Sequence, residues 1–181
     1  MEVKSGYKCQ SHRIFVRESK RVHKRSEIVQ DLWSVALDLA VEVLGLRREK
    51  ITIRANMTGF RKRTHGYCRS VWETEMDKDL GLAPNEIQIA IKANLKMRSF
   101  VTALAHELEH ARQYTTGELT GSQVYKGIDQ NDTDYWNKAH EVAARAVEEP
   151  IWELFVERCA DMWGMTAHHA EIKLEKLNNT W

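Results

Sequence analysis

The sequence predicts a single α+β domain. Two observations carry that expectation. Long segments repeat apolar residues at helical spacing, at about 26–46, 97–115, 135–149 and 151–177. Three shorter segments, 50–56, 66–76 and 86–92, alternate with period two as strands do. The chain has 181 residues, 43% hydrophobic and 29% charged, which suits one globular domain with a buried core. A net charge of +1 gives no overall bias toward nucleic acid or an anionic membrane.

Residues 1–25 form a basic stretch. Lys4, Lys8, Arg13, Arg17, Lys20, Arg21, Lys24 and Arg25 stand against Glu2 and Glu18. Such an arm could touch nucleic acid, or simply be solvated. Ile14, Phe15 and Val16 hint at a short ordered piece within it. The main domain is expected over 26–181. Ser26 and Glu27 mark a helix start, and Ile28, Leu32, Val35, Ala36, Leu39, Val43 and Leu46 make one stripe along 26–46. That helix should pack on the sheet.

The strands follow. Ile51, Ile53 and Ala55 share a face, as do Ile87, Ile89 and Ile91. In 66–76, Cys68, Ser70, Trp72, Thr74 and Met76 oppose Tyr67, Arg69, Val71, Glu73 and Glu75. The second strand has the most polar outer face and is expected at the sheet edge, where an extended peptide can add by main-chain hydrogen bonds. A basic loop spans 59–65, and a turn with Gly81, Pro84 and Asn85 precedes the third strand.

Residues 97–115 carry Phe100, Val101, Leu104, Ala105, Leu108 and Ala111 at helical spacing, with Gly117 placed as a C-cap. Within this helix, residues 106–110 read His-Glu-Leu-Glu-His. Histidines four apart lie about 400° apart around a helix, so both imidazoles leave one face, one turn apart. So placed, His106 and His110 can grip one metal ion, and Glu107 can reach a water held there. This is the zinc hydrolase pattern, with Glu107 as general base. It requires a third protein ligand and one open position.

A polar loop, 117–133, follows, containing Gly121, Tyr125 and Gly127; a loop this long beside a metal helix is expected to be functional. Asp134 is placed to cap a helix from Tyr135 to about Glu149, and Pro150 ends it or opens the next. In 135–149, Ala139, Val142, Ala143 and Ala146 gather as an apolar face. Glu141 points roughly away from its centre and His140 lies nearer that face, so periodicity alone does not favour Glu141 as the third ligand and His140 could serve instead. The last helix, 151–177, carries Trp152, Phe155, Val156, Cys159, Met162, Trp163 and Leu174, which are expected in the core.

The segments 106–114 (HELEHARQY) and 135–145 (YWNKAHEVAAR) resemble the paired motifs of compact zincin metallopeptidases of the glutamate-ligand, gluzincin-like type. They look most like small predicted peptidases of phages, archaea and bacteria, distantly akin to SprT-like proteins. In that group the second motif often reads Pro-His-Glu-x-x-Ala-Arg; here Ala139 stands where the proline commonly stands. The resemblance covers about residues 50–149. It implies that Glu141 is the third zinc ligand beside His106 and His110, and that Glu107 is the base. Ala144, small and one turn beyond Glu141, leaves room for the metal helix. The implied architecture is a zincin-like domain: a small three-stranded sheet packed on the N-terminal helix and the HExxH helix, then a ligand helix and a long C-terminal helix. The implied activity is zinc-dependent hydrolysis of a peptide or protein, with Tyr125, Tyr135, His140 and Arg145 as candidates to steady the oxyanion, and Tyr135 and His140 foremost. Two rival expectations stand beside it: a non-catalytic zinc- or peptide-binding domain, and a DNA-associated protease using the basic arm.

Cys9, Cys68 and Cys159 are isolated in sequence and form no disulfide framework, which favours a reducing, cytoplasmic compartment. The first twenty residues lack the apolar core of a signal peptide. The most apolar run, 32–46, is interrupted by Asp38 and Glu42, so no membrane span is expected.

Overall fold

The computed structural model describes residues 14–18, 27–46, 51–56, 65–71, 84, 86–92 and 95–177. Most of the basic stretch 1–25, most of the basic loop 59–65, Gly81 and Asn85, and residues 72–76 lie outside the described residues.

The fold is mixed α+β, and its main sheet has four strands, not the expected three. The additional strand is β1 (Ile14–Glu18), inside the stretch expected as an arm. Its Ile-Phe-Val sequence suits a strand, although the cations around it mask the signal. β1 pairs in parallel with β2 (Ile51–Asn56), with Ile14 opposite Ile51. Between them runs α1 (Glu27–Val43), the helical crossover that a parallel pair requires. β2 pairs in parallel with β4 (Glu86–Lys92), and β3 (Gly66–Val71) runs antiparallel to β4 with Gly66 opposite Ile91. The order is β1-β2-β4-β3, so β3 is an edge strand, as its polar face predicts. Cys68 and Ser70 face inward while Tyr67, Arg69 and Val71 are exposed.

Ile87, Ile89 and Ile91 of β4 are fully buried in one core cluster with α1, with α2 (Met97–Thr115) and with the later helices. α1 packs closely against α2, and Trp33 stacks on Phe100 with ring centroids 4.4 Å apart. That stack corrects part of the stripe read from sequence. Leu32, Ala36, Leu39 and Leu46 are buried as expected, with Val29, Trp33 and Ala40 beside them, whereas Ile28 and Val43 are 54% and 47% exposed. The helix is rotated to bury its largest ring, which local spacing does not specify. α2 spans the predicted residues, and Gly117, at φ 73°, follows its C-cap.

The loop 117–133 holds a small hairpin, β5 (Val124–Tyr125) and β6 (Ile128–Asp129). Its turn, Lys126-Gly127, has φ 47° and 80°, the left-handed pair of a tight two-residue hairpin.

Two expected helices are broken. Residues 135–149 are not one helix. A 3-10 turn, Tyr135–Asn137, ends at extended Lys138, and α3 (Ala139–Ala146) starts afresh. Asp134 makes no side-chain cap; instead its carbonyl accepts from the N–H groups of Asn137 and Lys138. The cap of α3 comes from elsewhere: buried Gln130 accepts the Ala139 N–H at 2.8 Å. Pro150 lies in the first turn of α4 (Glu148–Trp163), where its missing N–H costs no helical bond. Residues 151–177 are likewise divided, because Gly164 adopts φ 62° and ends α4 before α5 (Ala167–Leu177). Trp152, Phe155, Cys159 and Leu174 are buried as expected, but Met162 is 54% exposed. Among the described residues no helix is long and apolar enough to cross a membrane.

Candidate metal centre

α2 divides its work by face. Phe100, Val101, Leu104, Leu108 and Ala111 enter the core, while His106, Glu107 and His110 line a cleft of about 200 Å³. The cleft is closed on one side by Gly66, Tyr67 and Cys68 of β3, and on the other by Tyr135, His140 and Glu141. Regular helix geometry brings the two Nε2 atoms within 3.2 Å. α3 delivers Glu141 to the same point: Oε2 lies 3.2 Å from His106 Nε2, and Oε1 lies 3.5 Å from His110 Nε2. One donor atom from each of the three residues falls within 4.8 Å of the others, so the group could hold a metal ion.

The donor set fits a cation. His106 Nδ1 faces the Glu148 carboxylate at 2.9 Å, so it carries hydrogen and Nε2 turns toward Glu141. Glu141 Oε2 is buried and turned toward His106 Nε2. A buried carboxylate oxygen facing imidazole nitrogens is satisfied by a positive charge. In the metal-free protein a proton answers part of this demand. Burial works against charge on His106, but hydrogen bonds to Glu141 and Glu148 outweigh it and lift its pKa to about 9. Burial raises the Glu141 carboxyl, yet hydrogen bonds from His106 and His110 hold it well below the ordinary range.

Glu107 is buried beside the triad and not part of it. Burial raises its pKa to about 7, partly offset by His106 and His110 and by a hydrogen bond from the backbone of Cys68. That bond leans Glu107 on β3. Gly66 makes the approach possible: a Cβ there would lie 2.9 Å from Glu107 Cγ and 2.8 Å from Ile91 Cδ1.

Of the oxyanion candidates, Tyr135 and His140 line the cleft; Tyr125 and Arg145 do not. The Tyr135 hydroxyl is hydrogen-bonded to Glu141, and burial together with that carboxylate raises its pKa. His140 is buried, its Nδ1 has no hydrogen-bond partner, and burial lowers its pKa to about 4. A neutral imidazole is therefore held at the edge of the site. Tyr125 lies behind it, with ring centroids 6.2 Å apart. Arg145 donates to the Trp136 carbonyl and lies over the Trp136 ring. The apolar face read for 135–149 is also corrected. His140, Glu141 and Ala144 are the buried residues of α3, and Val142 is half exposed, because the helix packs through the side that carries Glu141.

Sequence reasoning missed the residues that orient the donor side chains. Gln113 accepts from His110 Nδ1 at 3.0 Å, and Glu148 orients His106. Gln113 stands three residues after His110, on the same helix face, which is a local signal. Glu148 and Gln130 carry none, since their partners lie on other elements. The chain matches no protein-family model, no curated protein and no solved structure to which it was compared.

Proposed function

We propose that this chain is a zinc-dependent peptidase. The observation that carries the reading is the pairing of a His106–His110–Glu141 donor group with a separate buried carboxylate, Glu107, in one cleft beside an edge strand. Two imidazoles and one carboxylate suit zinc, and a three-donor set leaves a position for water and substrate, whereas structural zinc is closed by four protein ligands. When bound, the ion would supply Lewis acidity and bring the acidity of a water near neutrality.

The remaining tasks fall to the chain. His106, His110 and Glu141 hold the ion. Glu107, poised near neutral pH by burial, takes a proton from the attacking water and delivers it to the leaving amine. Tyr135 and His140 line the same cleft as Glu107, where hydroxyl or imidazole can donate to the developing oxyanion. An extended substrate segment would add to the outer edge of β3, which places its backbone along the cleft. Among the described residues Cys68 and Cys159 are free thiols, which fits a cytoplasmic setting.

The test is Glu107→Gln, which is nearly isosteric but cannot accept the proton. The variant is expected to keep its fold and about one zinc per chain while losing hydrolysis of an unfolded protein substrate. Wild-type cleavage by Glu107→Gln would refute the assignment of the base. A zinc-loaded wild type that cleaves nothing would favour a binding module instead.

A further inference from the structure

Gln113 is fully buried, and its side-chain amide meets three groups. Oε1 lies 3.0 Å from His110 Nδ1. Nε2 lies 3.1 Å from the backbone carbonyl of His140 and 3.3 Å from Glu109 Oε1. The carbonyl accepts only, and so does the Glu109 carboxylate, which is held by two hydrogen bonds from Arg112. The NH₂ end of Gln113 must therefore face them, and its carbonyl must face His110. This orientation makes His110 Nδ1 the donor and leaves the lone pair on Nε2, toward His106 and Glu141.

The same amide grips the residue immediately before Glu141. From this we infer that Gln113 is a positioning residue that makes two metal ligands into one unit: it sets the tautomer of His110 and docks the start of α3 so that Glu141 meets it. The inference rests on the reading that His106, His110 and Glu141 hold a metal. The surrounding bonds converge on this residue. The Leu119 N–H donates to the backbone carbonyl of Gln113 at 3.0 Å, and Arg112 links Glu109 to Glu118 at the start of the loop that ends in Gln130. A leucine at 113 would fill the volume yet leave both His110 Nδ1 and the His140 carbonyl without their partner.

The experiment uses the full chain with Gln113→Leu and Gln113→Glu. Zn²⁺ affinity is measured by competition with a chromophoric chelator, coordination by the visible absorption of the Co²⁺ form, and folding by thermal unfolding of the metal-free protein. Gln113→Leu is expected to lose roughly 10- to 100-fold in Zn²⁺ affinity and to alter the Co²⁺ bands. Gln113→Glu keeps the acceptor for His110 but turns an oxygen toward the His140 carbonyl and the Glu109 carboxylate, so its affinity should fall below wild type. Unchanged affinity and Co²⁺ bands in a folded Gln113→Leu would overturn the inference. So would a folded Gln113→Glu equal to wild type, and that comparison holds even if the leucine variant does not fold. A wild type that takes up neither Zn²⁺ nor Co²⁺ would overturn the metal reading itself, and the inference with it.

Discussion

Residues 106–110 and 135–141 serve the same site from opposite kinds of local structure. The first segment is regular α-helix, and its two imidazoles meet because four residues make about one turn. The second is a 3-10 turn, an extended Lys138 and the first turn of a new helix. Nothing in that local geometry aims Glu141 at the imidazoles. Its aim comes from outside: Gln130 caps α3 from the preceding hairpin, and Gln113 holds the His140 carbonyl from α2. A ligand pair on one helix is cheap to specify, and a ligand brought in from a second element requires dedicated buried polar partners.

The sharpest way to break this contrast is to remove ligands from each side. His110→Ala is expected to abolish stoichiometric zinc, and Glu141→Gln to cause a comparably large loss of affinity, by elemental analysis and chelator competition. His140→Ala should retain zinc and slow turnover, since His140 is outside the donor group. The opposite pattern at 140 and 141 would move the ligand to His140.

Protons would compete with a bound metal for the same helix pair. His106 in the metal-free protein has a pKa raised to about 9, so binding a cation must displace its proton. Zn²⁺ affinity should therefore rise about tenfold per pH unit from pH 7 toward 9, and flatten above it. A flat profile across that range, measured by competition titration, would show that His106 is not charged in the free site.

Gly66→Ala probes the side of α2 that leans on β3. The new Cβ would sit within 3.0 Å of Glu107 and Ile91, and overpacking of this kind costs about 1–3 kcal/mol. Hydrolysis should fall more than zinc content, because Glu107 is displaced and the ligands are not. Equal losses of both would mean that the strand supports the whole site. The smallest effect is expected for Gln130→Ala, which removes the cap of α3 at a cost of about 1 kcal/mol. Its Zn²⁺ affinity should drop a few-fold while the thermal midpoint shifts by only a few degrees.

The boundaries of α2 and β4 were readable from sequence because each has a strong period and punctuated ends. The edge position of β3 followed from its polar face. β1 was underread because five strand residues among cations carry little pattern. The breaks at Lys138 and Gly164 were missed for a different reason: apolar spacing continues across them, so periodicity alone joins what the backbone separates.

The sequence by itself determined the two histidines and the neighbouring glutamate, since helical spacing is a local property of the chain. Between His140 and Glu141 local spacing did not favour Glu141; the motif resemblance and the small Ala144 beside it did. Tertiary structure decided the rest. It turned α3 so that Glu141 meets both imidazoles, set Glu107 against Gly66, and recruited Gln113, Gln130 and Glu148 to orient these side chains. These contacts join residues from 9 to 42 positions apart. The partner of a buried polar group is fixed by where elements pack, and no period in the sequence records that.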